Sequence, residues 1–188
     1  MRLGLFGGTF DPPHNGHLFM ASRAREEAGL DRIVFIPCWR SPHKRNVVSA
    51  TPEDRLRMLE IATQDLPWAV ASNWEIDRTG EPSYSWMTAE HFADSHPDAA
   101  LHWILGGDQW RVLETWREPK RLAKLVTFIV VAREETPRPR PGYRAIFIND
   151  ICDVSATRVR KAIAGGDTVD DLVPTPVAGY IEREGLYR

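Results

Sequence analysis

His14 and His17 stand three residues apart in a segment reading Gly7-Gly8-Thr9-Phe10-Asp11-Pro12-Pro13-His14-Asn15-Gly16-His17. Adjacent glycines let backbone N–H groups approach an anion with no Cβ in the way. A helix opening near Gly16 adds about half a positive elementary charge at its N-terminus, so phosphate is the ligand this arrangement suits. Either imidazole can donate hydrogen bonds to the oxygens of a pentacovalent phosphorus as negative charge collects there. Two alternatives compete with this reading. One is a tight turn whose histidines merely cap a helix; the other is a metal pair, for which a convincing third zinc ligand is missing. Other phosphate motifs are excluded by inspection: no Gly-Lys-Ser/Thr is present, and Gly4, Gly7 and Gly8 do not fit G-x-G-x-x-G, which disfavours a hydride-transferring dehydrogenase.

A second segment, Val154 to Arg160, offers related chemistry. Ser155 can cap a helix whose open N–H groups face an anion, and the Arg158 guanidinium can bind the β and γ phosphates of a triphosphate with two charge-assisted bonds. Holding a pyrophosphate leaving group in line is what transfer of a nucleotidyl group needs. A cap alone would account for Ser155 but not for Thr157 and Arg158 together. Arg160 and Lys161 read as solvent-facing charges. Gly106, Gly107 and Asp108 follow a strand candidate and put a carboxylate where ribose hydroxyls can be held, although such a turn is weak evidence by itself.

Positioning these groups calls for alternating strands and helices. Strand candidates are Leu3 to Phe6, Ile33 to Ile36, Ala69 to Ile76, Leu101 to Leu105, Leu125 to Val131 and Ala145 to Ile148. Helices are expected from about Gly16 to Ala28, stopped by Gly29; from Thr51, with Pro52, Glu53 and Asp54 as start signals, through Thr63; over Ser83 to Ala93; and after Ser155. A last helix carries Val177, Tyr180 and Ile181 behind Thr175 and Pro176. Ala132 to Tyr143 reads as an exposed connector. Continuous apolar strands alternating with helices predict a mostly parallel α/β sheet covered on both faces, with ligands beyond the strands' carboxyl ends.

The chain has 188 residues, 43% hydrophobic and 27% charged, which predicts one domain over 1–188 with ample surface to bury. A net charge of -2 gives no global reason to bind nucleic acid or an anionic membrane, so any anion site must be local. Cys38 and Cys152 have no paired metal spacing and fit a reducing cytoplasm. The first apolar run breaks at Gly7, too short for a secretory or spanning helix.

The segment from Gly7 to His17 resembles the first motif of the nucleotidyltransferase superfamily, particularly the bacterial nicotinate mononucleotide adenylyltransferases. Class I aminoacyl-tRNA synthetases carry a related His-x-Gly-His segment, but this chain is short for one and lacks a Lys-Met-Ser-Lys-Ser partner. Val154 to Arg160 is similar to the family's Ile-Ser-x-Thr-x-Ile-Arg motif, and Gly106 to Asp108 to its Gly-x-Asp motif. The resemblance implies a Rossmann-like doubly wound fold with a small C-terminal helical part. It implies transfer of the adenylyl group of ATP to nicotinate mononucleotide, with Mg²⁺ bridging the ATP phosphates. The catalytic set would be His14, His17 and Arg158, and the ATP-binding set Gly7, Gly8, Thr9, Phe10, Gly106, Asp108, Ser155 and Thr157. For the acceptor, Pro42-His43-Lys44 resembles a family element whose lysine contacts phosphate, and Ser83-Tyr84-Ser85 a family Ser-Tyr-Thr segment. Trp116 falls where relatives place an aromatic that stacks on the nicotinate ring, and Arg133 resembles a basic residue near the substrate phosphate. Ser85 replaces a threonine, and Arg117 stands where many relatives have another aromatic. Transfer to nicotinamide mononucleotide or phosphopantetheine, or nucleotide binding without chemistry, are the rival readings; homo-oligomerisation is left open.

Overall fold

A computed structural model of the chain describes residues 1–40, 50–80, 82–132, 137–150 and 152–188. Six strands, β1 (Arg2–Gly8), β2 (Arg32–Pro37), β3 (Ala69–Ala71), β4 (Ala100–Gly106), β5 (Val126–Ala132) and β6 (Ala145–Asn149), form one sheet in the order β3-β2-β1-β4-β5-β6. Every pairing is parallel. This is the doubly wound, Rossmann-like α/β architecture expected from the alternation of elements.

Alternate strand residues go to opposite faces, and both faces are apolar. Leu3, Leu5, Trp103, Phe128 and Val130 build the core on one side. Phe6, Ile33, Phe35, Ile104 and Ile129 build the core on the other. A parallel sheet must be covered twice: α4 (Ser85–Ser95) and α6 (Pro119–Leu125) pack into the first of these cores, and α1 (Asn15–Ala28) and α2 (Pro52–Thr63) into the second. Burying each of these large apolar side chains contributes about 1.5 to 3 kcal/mol. A third cluster joins α2 to the C-terminal helices α7 (Ala156–Ala164) and α8 (Thr175–Arg183) through Met58, Val159, Val177 and Ile181.

Helix boundaries follow the local chemistry. Thr51 caps α2 by accepting the Asp54 N–H at 3.1 Å, and the Asp54 carboxylate accepts the Thr51 N–H in return. Gly29 ends α1 with φ 58, the left-handed value that glycine adopts without cost. The expected strand over Ala69 to Ile76 is shorter than its apolar run. It stops at Ala71, and Trp74–Asp77 forms the short helix α3, whose first N–H is accepted by the Ser72 hydroxyl at 3.3 Å. Leu125 closes α6 instead of opening β5, and Gly107–Arg111 is a short helix, α5, instead of a loop. Among the described residues, no helix is long and apolar enough to cross a membrane.

Candidate active site

β1 and β4 are the central strands at which the winding direction reverses, and their pairing ends at Leu5 opposite Trp103 although the strands run on to Gly8 and Gly106. Such a switch point leaves a crevice beyond the strands' carboxyl ends. Gly7 is required there because a Cβ would come within 2.9 Å of the Trp103 ring. After Gly8 the chain turns through Phe10 with φ 51, a conformation that costs a non-glycine residue of order 1 kcal/mol. Burial offsets that cost: the Phe10 ring is 2% exposed and packs on Phe6, Phe35 and His17.

His14 is the N-cap of α1 in extended conformation, and His17 lies in its first turn. Their rings stack with centroids 3.7 Å apart. The His14 backbone N–H donates to His17 Nδ1 at 3.2 Å. A ring nitrogen that accepts cannot carry the proton, so in the neutral imidazole the proton resides on Nε2 and His17 presents a donor there. Opposite, Ser155 caps α7 by accepting the Arg158 N–H at 3.3 Å.

The two helix beginnings share a cavity of about 910 Å³, which Thr9, Phe10, His14, His17, Gly106, Asp108, Ser155 and Thr157 line together. The remaining candidates lie elsewhere. Gly7 and Gly8 shape the loop behind the cavity, against Trp103 and Phe10. Arg158 is exposed, donates to the Asp153 carbonyl at 3.3 Å and lines an adjoining hollow of about 650 Å³, whose wall also contains Ser155 and Thr157. Ser85 opens α4, and Trp116 is half-buried against the core beneath β4 and β5; neither lines the large cavity. Lys44 and Arg133 lie outside the described residues. Asp108 sits in the first turn of α5 in an ion pair with Arg111, and its side chain is exposed, so the pair contributes little to stability.

Arg160 corrects the expectation that it faces solvent. Its guanidinium donates to the Asp11 carbonyl at 2.6 Å and lines the large cavity. Side chains two positions apart on a helix point about 200° apart, which is why Arg158 and Arg160 meet different hollows. Arg55 is another group that sequence reasoning missed: 1% exposed on α2, it donates to the carbonyls of Thr9 and Cys38 at 2.7 Å each. Charge in a helix start gave no signal that this arginine turns inward. Among the described residues, no three His, Cys, Asp or Glu side chains gather as a metal site.

A doubly wound sheet with two helix N-termini and an imidazole pair facing one cavity is the framework of a nucleotidyltransferase. The model of the cytidylyltransferase-like family matches residues 5–162. Relatives described as probable nicotinate-nucleotide adenylyltransferases include one from Desulfatibacillum aliphaticivorans, 39% identical across the whole of both chains. Another, from Thermus thermophilus, is 40% identical, again over all of both chains. The chain therefore belongs to the nicotinate-nucleotide adenylyltransferase family, whose members are nucleotidyl-transferring enzymes. Its fold is similar to that of Plasmodium falciparum nicotinic acid mononucleotide adenylyltransferase complexed with APC, with a TM-score of 0.76, or with NaAD, with a TM-score of 0.79. Identity to those two is 18%, with 99% of this chain and 96% or 97% of theirs covered.

Proposed function

We propose that the chain transfers the adenylyl group of ATP to nicotinate mononucleotide, giving nicotinate adenine dinucleotide and pyrophosphate. The observation that carries this reading is the convergence of the α1 and α7 N-termini, with His14, His17, Ser155 and Thr157, on one cavity large enough for a dinucleotide. Family membership and the acceptor named for the relatives support the same choice.

In this mechanism an oxygen of the mononucleotide phosphate attacks the α-phosphorus of ATP. The new P–O bond forms as the bond to the β-phosphate oxygen breaks, and the electron pair leaves with pyrophosphate. His17 Nε2–H and the His14 ring donate to the α-phosphate oxygens, where charge grows in the transition state. Arg158 and the Ser155-capped end of α7 hold the leaving pyrophosphate. A phosphate dianion has no proton to surrender, so neither a general base nor a covalent intermediate is needed. Gly7, Gly8, Thr9, Phe10, Gly106, Asp108 and Thr157 bind ATP; Lys44, Ser85, Trp116 and Arg133 bind the acceptor. A Mg²⁺ ion bound together with ATP would supply neutralisation of the phosphate charge. The whole chain acts as one cytoplasmic unit.

Purified protein with ATP and Mg²⁺ should release pyrophosphate with nicotinate mononucleotide, and mass spectrometry should identify the dinucleotide. Faster turnover of nicotinamide mononucleotide or phosphopantetheine would replace the assigned acceptor. Nucleotide binding with no pyrophosphate from any acceptor would leave a binding protein.

A further inference from the structure

The loop that leads into His14 and the first turn of α1 is fastened from below by segments that follow α7 and α8. Asp11 lies three residues before His14 and is 3% exposed. One oxygen of its carboxylate accepts the Tyr187 hydroxyl at 2.8 Å and the Ala50 N–H at 3.2 Å, while its main-chain carbonyl accepts Arg160 at 2.6 Å. Further along, Asn15 donates its backbone N–H to Leu172 at 2.9 Å and its side-chain amide to Asp171 at 3.1 Å. Residues following α7 and α8 thus grip both ends of the segment Asp11 to Asn15.

Tyr187 reaches this place by a specific route. The chain leaves α8, turns back so that the Leu186 N–H meets the Ile181 carbonyl at 3.0 Å, and then enters the left-handed region at Tyr187 with φ 67. A left-handed residue outside any helix or strand would relax unless something retained it. Here the retaining contact is a hydroxyl given to a buried carboxylate, the strong, charge-assisted kind of hydrogen bond. Burial and the neighbouring Asp11 carboxylate push the phenol well above its ordinary range, so it stays a donor at neutral pH.

We propose that Tyr187 is a positioning residue for adenylyl transfer, acting through Asp11 to set the loop that delivers His14 and the α1 turn carrying His17. The proposal rests on the transition-state role given to those histidines. Transition-state stabilisation demands tighter placement than ground-state binding, and a displacement of about 1 Å costs on the order of a hundredfold. A loosened loop should therefore lower kcat while sparing KM.

Tyr180→Phe is the control, because Tyr180 makes a comparable bond, 2.9 Å long, to the Asp54 carboxylate of α2 and not to Asp11. Tyr187→Phe should lower kcat roughly tenfold to a hundredfold with KM for ATP and acceptor within about twofold of wild type. Tyr180→Phe should lower the melting temperature yet keep kcat. Asp11→Asn should reproduce the kcat loss, and the double variant with Tyr187→Phe should lose little more than the worse single, because the two act as one unit. A second readout needs no turnover: ¹⁵N spectra of the His14 and His17 rings should shift in Tyr187→Phe and not in Tyr180→Phe. Unchanged kcat and ring spectra in Tyr187→Phe, equal kcat losses in the two tyrosine variants, or multiplying losses in the double variant would each overturn the assignment. If Tyr187→Phe does not fold, Asp11→Asn with the ring spectra decides alone. Wild-type protein inactive on every acceptor would sink the functional reading instead, and the spectra would still report on the latch.

Discussion

Replacing Gly16 with alanine should damage catalysis far more than stability. A Cβ at Gly16 would come within 3.0 Å of His14 Nδ1, 3.1 Å of its Cε1 and 3.0 Å of the Val154 carbonyl oxygen. Carbon contacts become comfortable near 3.5 Å, so the imidazole and the segment leading into α7 must retreat by roughly 0.5 Å. The helical backbone itself accepts alanine, which gains about 0.8 to 1 kcal/mol of propensity over glycine. Overpacking costs typically about 1 to 3 kcal/mol, so the two nearly cancel and leave a net loss of roughly 0 to 2 kcal/mol. That corresponds to a melting temperature lower by no more than about 8 °C for a chain of this size. Catalysis has no such compensation. The displaced groups are one of the assigned imidazoles and the partner helix start, so kcat for pyrophosphate release should fall on the order of tenfold to a hundredfold. Gly29→Ala supplies the opposite signature. Gly29 has φ 58 and open space around its missing Cβ. Alanine there should therefore cost about 1 kcal/mol of stability through backbone strain and leave kcat intact. Wild-type turnover in Gly16→Ala, measured at saturating ATP and acceptor, would refute the placement of His14 in the transition state.

Two further perturbations separate competing roles. Arg158→Ala should lower kcat/KM for ATP by about 10 to 100-fold, the worth of a charged hydrogen bond, and Arg160→Ala should lower kcat through the Asp11 carbonyl. If only Arg160→Ala moves kcat/KM for ATP in a steady-state titration, the triphosphate contact belongs to Arg160. Glu75, 6% exposed, has its carboxyl pushed above the ordinary 4.5 by burial, against hydrogen bonds from Thr88 and Ser83 that pull it down. Such a group binds its proton more tightly when folded, so its contribution to stability is complete below the ordinary value and is lost as pH rises through the folded one. Glu75→Gln should accordingly gain in melting temperature relative to wild type as pH rises above the ordinary carboxylate range; a difference that stays constant with pH would contradict the burial argument.

Elements governed by strong local rules were legible in the sequence, and those set by tertiary context were not. Thr51 and Asp54 announce α2 through their mutual hydrogen bonds and Pro52 through its fixed φ, and Gly29 announces the end of α1. The apolar run after Ala69 gives no such cue, because burial of Ile76 within α3 satisfies the same hydrophobicity as a strand would. At the site, His14, His17, Ser155 and Thr157 of the two helix starts line one cavity, whereas Arg158 lines the adjoining hollow. Arg160 and Arg55 were missed because a basic residue on a helix carries no mark of which neighbour it will meet. Trp116 packs its indole beside the core, as most tryptophans do.

Arg55 ties the turn after β1 to the turn after β2, since one guanidinium reaches the Thr9 and Cys38 carbonyls. Neighbouring strands therefore hand their outgoing chains to a common yoke anchored in α2, and the two turns travel together when either is disturbed. Strain introduced on the Cys38 side would be felt beneath the imidazoles, so substrate contacts made on opposite flanks of the crevice share one mechanical fate.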